Sequence, residues 1–460
     1  MSNIVIVKTD KYYYPKDDFR PSKKYPEYLF DEISKKDNHI YDMIRKFLMM
    51  KLDIKNYTSS WNPLKFIKNK VVVKPNLVMD YNPTEVECLY TQPSIVAAIV
   101  DYIIIALKSE IVVDAPMQEC NFEKLISESY DKLIGFYQKK LKTNITIELE
   151  DFRELKTTCV FAYKQNIVDN PLIVVDLGNN SEFSNLTEEQ FKNLRITNYD
   201  PNILNSHHNV KNEYYINKTI LEADAIINVP KPKTHRKAVT IALKNLIINA
   251  RKEYLPHHMN SKVDNKDEYL LPSYIKRILD KIIDLRNKLV NKKKHFLSRL
   301  LFIFRYGLTK IVKFFSKDKF FESRYGNNTI SKTIIDLNKI VRYADKNKMS
   351  DRIQRNYFIV ADMIISEKEP IAPSPKNVMI AMENPIYFDE TITLMAKMES
   401  NPTILCAKKS MKKWKLYNDK DKIIITSNDK NLDNKTIKQL SKKEILYFEP
   451  SEWRKVFLKK

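Results

Sequence analysis

The stretch Ile226-Ile-Asn-Val-Pro-Lys-Pro-Lys-Thr-His-Arg-Lys-Ala-Val-Thr-Ile-Ala-Leu-Lys-Asn-Leu246 decides the fold. Residues 225–229 form a short apolar run with the length of a buried strand. A loop punctuated by Pro230 and Pro232 follows, carrying Lys231, Lys233 and His235. An apolar-periodic segment with Lys244 and Asn245 comes next. Strand, polar loop, helix is the order in which open α/β sheets present polar groups at the carboxyl ends of their strands. The chain is therefore read as α/β, a mostly parallel sheet with flanking helices and one basic helical insertion.

Working outward, residues 71–78 give a β-branched strand that Pro75 ends, because proline has no N–H for a central ladder. Lys74 and Asn76 then sit at or just past its end. Thr91 or Ser94 can cap a helix with an apolar body over 95–107, and residues 110–114 make the next strand. This βαβ unit implies parallel strands, with Asp114 and Glu119 on the edge where Lys74 and Asn76 emerge. Further strands are expected at 4–7, 158–162, 172–176, 357–361 (ending at Asp362), 378–381 and 423–426. Helices are expected near 40–52, through Asp336 and Tyr343, and over 387–398. Residues 178–200 read as polar connection, and the role of the aromatic, charged segment 10–60 is open.

The chain has 460 residues, 43% of them hydrophobic, enough for a large globular core. Only 4 are glycine, against a usual roughly 7%, while Lys, Asn and Ile abound. Part of the net charge of +22 is therefore compositional drift, which weakens any argument from charge to nucleic acid. Cys88, Cys120, Cys159 and Cys406 are scattered without a C-x-x-C pair, so neither an iron–sulfur cluster nor a structural zinc is expected. The first residues lack a signal-peptide pattern and no long uncharged apolar run occurs, so a cytoplasmic chain is expected.

Residues 270–324 differ from the rest, with 15 basic against 4 acidic side chains, a net of +11. Within them Leu297, Leu300, Leu301, Phe304, Leu308, Ile311, Val312 and Phe315 recur at helical spacing, with most cations off that stripe. Two readings fit: a helix docked on an anionic membrane surface through 295–317, making the protein peripheral on the inner face, or a core-packed helix with a solvated basic side. The domains expected are an α/β part over 1–269, the basic insertion over 270–324, and a C-terminal α/β part over 325–460. Five of the seven histidines, His207, His208, His235, His257 and His258, lie within 207–258. No H-x-x-x-H spacing fixes two of them on one element, so a shared metal and separate loop histidines both stay open.

A set of segments resembles the domain-of-unknown-function 362 family, and within it a branch met near cell-surface polysaccharide genes. They are Val73-Lys-Pro-Asn-Leu77, Thr91-Gln-Pro93, Asp224-Ala-Ile-Ile-Asn-Val-Pro-Lys-Pro-Lys-Thr-His235, Leu243-Lys-Asn-Leu246, Lys252-Glu-Tyr-Leu-Pro-His-His258, Asp267-Glu-Tyr269, Gly326-Asn-Asn-Thr-Ile330, Asp336-Leu-Asn338, Asp362 with Glu367 and Pro370, Glu383-Asn-Pro385 with Asp389, and Trp453. The resemblance implies an α/β fold and no established activity; nothing here matches the ferredoxin-like module of some relatives. Where relatives have glycine-rich turns this chain has Met363, Lys368 and a glycine-free 259–266, which bears on how closely backbone can approach a ligand.

The matched positions form a chemical set. Lys74, Lys231, Lys233 and Lys244 suit a phosphate or carboxylate, with Asn76 and Asn245 as amide partners. His235, His257 and Asp362 are the candidates for acid–base catalysis, while His258, Asp267, Glu268 and Glu367 complete the substrate-binding candidates. No metal ligands are assigned; a weakly held divalent cation is the ion such carboxylates would suit. The expectation is an enzyme acting on an anionic, phosphorylated or carboxylated and in some cases lipid-linked, substrate of surface-polysaccharide metabolism. The alternative is a non-catalytic binding or scaffolding protein on the membrane surface.

Overall fold

The computed structural model describes residues 2–15, 19–51, 64, 67–77, 87–106, 110–113, 120–141, 145–152, 155–157, 165–167, 171–192, 194–195, 206–208, 210–233, 241–246, 255–256, 258–259, 273–292, 294–315, 328–368, 372–398, 402–440 and 445–446. Its centre is an eight-stranded sheet. The strands in chain order are β1 (Ser2–Lys8), β2 (Lys70–Pro75), β3 (Glu110–Val113), β4 (Ile147–Leu149), β5 (Ala225–Val229), β6 (Asn356–Lys368), β7 (Ala372–Met382) and β8 (Ile423–Ser427). In space they run β8-β1-β7-β6-β5-β2-β3-β4. Only β7 opposes the others; every remaining contact in this sheet is parallel. The carboxyl ends of seven strands therefore share one edge.

Alternate residues of each strand feed two cores, as a sheet covered on both faces requires. Val71, Val73, Ile227 and Val360 pack with helices α1 (His39–Lys51), α2 (Pro93–Ala106) and α3 (Asp131–Lys140). Val72, Ile226, Ile359 and Ala361 pack with the one-turn α4 (Ala242–Asn245), α7 (Asn328–Tyr343) and α8 (Pro385–Met395). Asn38 caps α1, its Oδ1 accepting Tyr41 N–H at 3.1 Å, and Asn384 caps α8 ahead of Pro385. Helices α5 (Ser273–Asn291) and α6 (His295–Phe315) pair with one another, Arg286 lying 5.2 Å from the Phe302 ring centre.

Connectivity sets the position of the site. From β2 the chain passes through α2 on one face to β3; from β5 it reaches β6 on the opposite side of β5, after α7 on the other face. The two paths diverge between β2 and β5, and at such a switch point the carboxyl ends of adjacent strands leave a crevice.

Several expectations need correction. The strand expected to stop at Asp362 continues to Lys368, because its antiparallel partner β7 keeps pairing past the point where β5 ends, with an irregularity between Met363 and Ile365. Residues 178–200 are more than connection, since Phe183, Phe191 and Leu194 form a small core there. The expected strand at 172–176 is present as Leu172–Asp176 but belongs to a separate sheet, antiparallel to Lys211–Asn217. The strand expected at 158–162 lies outside the described residues, as does Cys159.

The basic stripe is split. Leu301, Leu308 and Val312 are half-buried on the side of α6 that also hides Ser298, whereas Leu297, Leu300, Phe304 and Ile311 are exposed. None of them joins a described hydrophobic core cluster, and Phe315 side-chain packing is outside the description. No described helix is long and apolar enough to cross a membrane.

Candidate functional site

At the divergence of β2 and β5 the polar residues of both strand ends meet the middle of β6. Pro230 carbonyl accepts Asp362 N–H at 2.9 Å, so β5 hands over to β6 at Asp362. The Lys231 and Asp362 side chains are wholly buried and 2.9 Å apart. Asp362 Oδ1 also accepts the Tyr14 hydroxyl at 2.6 Å, and Oδ2 the backbone N–H of Gln92 at 3.1 Å at the start of α2. Tyr14 in turn accepts from Lys231 Nζ at 3.0 Å and from Ile365 N–H at 3.1 Å. Burial, with Asp362 next, pushes the Tyr14 phenol well above its usual range, so it stays a donor to the carboxylate.

Two residues further on, where the backbone bridges Glu367 in parallel, Lys233 is paired with Glu367 at 3.1 Å and donates to the Leu89 carbonyl at 2.7 Å. Burial lowers the pKa of Lys233, and Glu367 opposes that shift. Glu87 accepts from Tyr90 N–H at 2.9 Å; burial raises its pKa while Lys231 pulls it down. Lys74 is fully buried at the end of β2, donating to the Pro75 carbonyl at 3.0 Å. Three lysines thus share the edge with three carboxylates.

A chain of amides ties the strands together beneath these charges. Asn76 Nδ2 donates to Asn245 Oδ1 at 2.8 Å, Asn245 Nδ2 to Asn228 Oδ1 at 2.6 Å, and Asn228 Nδ2 to Tyr357 Oη at 2.5 Å. Two backbone carbonyls, of Lys74 for Asn245 and of Ala242 for Asn228, fix which end of each amide is the donor. That orientation leaves Asn76 Oδ1 buried and without a hydrogen-bond partner among the described residues. Ser94 Oγ and Ser366 Oγ, in segments that build the same edge, share that state. Native proteins rarely leave such groups unmatched.

Asp389 holds α4 in place by accepting from Ala242 N–H at 2.9 Å and Leu243 N–H at 3.2 Å. Thr91 was one of two expected helix caps, with Ser94; its hydroxyl donates to the Val229 carbonyl at 2.7 Å and accepts Asn76 N–H at 2.8 Å, joining the two strand ends.

Of the residues singled out from sequence, Lys74, Asn76, Lys231, Lys233, Asn245, Asp362 and Glu367 come together here. Two cations and two carboxylates among them are one another's partners, Lys231 with Asp362 and Lys233 with Glu367. Lys244 sits half-buried on α4, next to Asn245. His258 pairs through its backbone with Arg195 in a two-stranded ladder, its side chain outside the description. His235, His257, Asp267 and Glu268, with Asp114, Glu119 and Trp453, lie outside the described residues. His207 is buried against Phe183 and Tyr214, with His208 exposed beside it.

Sequence reasoning missed Tyr14, Glu87, Asn228 and Tyr357. Asn228 carried a signal, being a polar residue within an apolar five-residue strand; Tyr14 carried none. Among the described residues no group of three His, Cys, Asp or Glu side chains is placed to hold a metal ion.

A separate cavity of about 560 Å³ opens beside α2 and α3, lined in part by Phe19, Arg20, Asp101, Lys132 and Phe136. Burial raises the Asp101 carboxyl to about 7, although Tyr137 donates to it at 2.5 Å. None of its lining residues belongs to the strand-end cluster.

No curated protein and no solved structure matches the chain. The model of a family described as a domain of unknown function does match, over residues 71–393, a span that takes in every described member of the strand-end cluster except Tyr14. The chain belongs to the DUF362 family.

Proposed function

We propose that the strand-end cluster is the active site of an enzyme whose substrate carries both an anionic group and a hydroxyl, such as a phosphorylated or carboxylated sugar, free or lipid-linked. The observation that carries this reading is Asn76 Oδ1, a buried acceptor without a partner among the described residues, at the switch point whose strand ends carry the buried Lys74, Lys231 and Lys233. An acceptor calls for a donor, which a sugar hydroxyl supplies. Buried ion pairs contribute little net stability, because desolvation offsets their attraction. Their concentration at the strand ends of a switch point is better accounted for by a ligand than by folding.

In this reading Lys233 is the residue that meets the anion. Glu367 is its partner within the fold, and an incoming phosphate or carboxylate takes over the ammonium. Asp362 acts as a positioning residue, since both its oxygens are engaged by Tyr14, Lys231 and the Gln92 N–H. His235 and His257 are assigned the proton transfers, and a divalent ion, where one is needed, would be weakly held. The polysaccharide setting follows from the branch of the family that the chain resembles.

The test is thermal unfolding with inorganic phosphate, a hexose phosphate and the free hexose. The hexose phosphate should raise Tm most, because binding to the native state alone is stabilising. Lys233→Met with Glu367→Gln should remove the shift, and Asn76→Ala should erase the preference for hexose phosphate over phosphate. Absence of a shift with every anion would reject the reading. For a sugar phosphate that binds, phosphorus NMR should then show turnover that His235→Ala abolishes.

A further inference from the structure

The α5–α6 hairpin turns apolar side chains away from the protein. On α6 the residues at helical spacing Phe296, Leu300, Ile303, Phe304, Ile311 and Phe314 are all exposed, Phe296 to 73%, Phe304 to 61% and Phe314 to 82%. This is not the edge of a packed stripe. Ser298, Leu301, Phe302, Arg305, Leu308 and Val312, the more buried residues, lie on the other side of the same helix. At 100° per residue the two sets centre roughly half a turn apart. On α5 the exposed positions include Ile278 and Leu285, while Leu279 and Arg286 are buried. Both helices use one side for each other and leave apolar residues on another.

Cations border this surface. Lys281 and Lys288 on α5, Lys292 and Lys294 at the connection, and Arg299 and Lys310 on α6 are exposed. Over 270–324 basic residues outnumber acidic ones 15 to 4. An exposed apolar surface of this kind marks a site of association. A protein partner for so basic a rim would have to be acidic and apolar at once. A bilayer with anionic lipids has that combination, with negative headgroups above hydrocarbon, and interfacial helices place aromatic and aliphatic residues just below lysines and arginines.

We propose that the hairpin docks the protein on an anionic membrane surface, with α6 lying in the interface plane, Phe296, Phe304 and Phe314 inserted, and the six cations at headgroup level. The proposal rests on the hairpin alone and stands whether or not the strand-end cluster is an active site.

Co-sedimentation of the full chain with vesicles tests it, using phosphatidylcholine with or without phosphatidylglycerol at low salt. Wild-type protein should pellet with the anionic vesicles and be partly released by salt. Lys281→Glu, Lys288→Glu and Lys310→Glu together should remove the preference for phosphatidylglycerol. Phe304→Ser with Phe314→Ser should weaken binding to the anionic vesicles by at least about tenfold, through lost apolar burial. Both variants change exposed positions, and an unchanged melting curve confirms that they fold. Wild-type protein that stays in the supernatant overturns the proposal. So does undiminished binding of the phenylalanine variant, which would mean adsorption by charge alone. A dimer in sedimentation velocity that the phenylalanine variant dissociates, without vesicle binding, would assign the face to a second copy of the chain.

Discussion

At the carboxyl ends of β2 and β5 three lysines are removed from water, while on the outer face of α6 three phenylalanines are left in it. Both regions reverse the usual partition of side chains, and they are tolerated for different reasons. Each buried cation at the sheet edge is matched locally, by Asp362, by Glu367 or by backbone carbonyls, so the reversal is compensated within the fold. The phenylalanines instead keep most of their ring surface in solvent. The cluster is therefore a place where substitution should damage the native state, and the hairpin one where it should not.

The sharpest way to break that comparison is Asp362→Asn. It leaves Lys231 buried without its counter-charge, which should cost about 3–5 kcal/mol in urea unfolding. The double variant Asp362→Asn with Lys231→Met removes both charges and should recover much of the loss. Recovery would mean that the pair is retained for something other than stability. A double variant as unstable as the single one would make it a structural element.

Asp101 gives the next largest effect and the opposite logic, because it is a buried carboxyl whose described hydrogen-bond donor is a phenol and not a cation. Burial raises it from 3.8 to about 7 in the folded protein. Between those values the native state holds a proton that the unfolded chain has released. Its contribution is therefore most favourable below pH 4, declines as pH rises toward 7, and is level above that. Asp101→Asn should leave stability near pH 4 unchanged and raise it at pH 8 by roughly 2–4 kcal/mol. Parallel stability–pH curves for the two proteins would show that Asp101 carries no such penalty.

How far these regions were legible in the sequence follows from the range of the interactions that build them. β5, its lysine-bearing loop and the parallel β2–β3 unit could be read because short apolar runs and prolines encode them locally. The pairings across the cluster could not. Tyr14 reaches Asp362 across 348 positions, and nothing in its aromatic, charged surroundings marks it as a partner. Asp362 reads as a strand end because an acid interrupts an apolar run; pairing with β7 carries the strand past it, and Lys231 matches its charge. In α6 the periodicity was visible, but not its phase. The face turned to solvent is set by where α5 packs, so Phe296, Ile303 and Phe314 entered the exposed face while Leu301, Leu308 and Val312 left it.

That phase leads to the smallest expected effect. If α6 turned its aromatic side toward the core, Phe304→Ser with Phe314→Ser would delete two buried rings and cost several kcal/mol, as such deletions do in cores. With the rings at 61% and 82% exposure there is little packing to lose, and unfolding free energy should stay within about 0.5 kcal/mol of wild type. Leu279→Ser on α5 is the matched control, since Leu279 is only 6% exposed. It should loosen the hairpin, giving faster amide exchange over 273–315 while the strands of the main sheet stay protected. A large loss from the phenylalanine pair and none from Leu279 would invert the assigned faces, and with them the membrane-docking geometry.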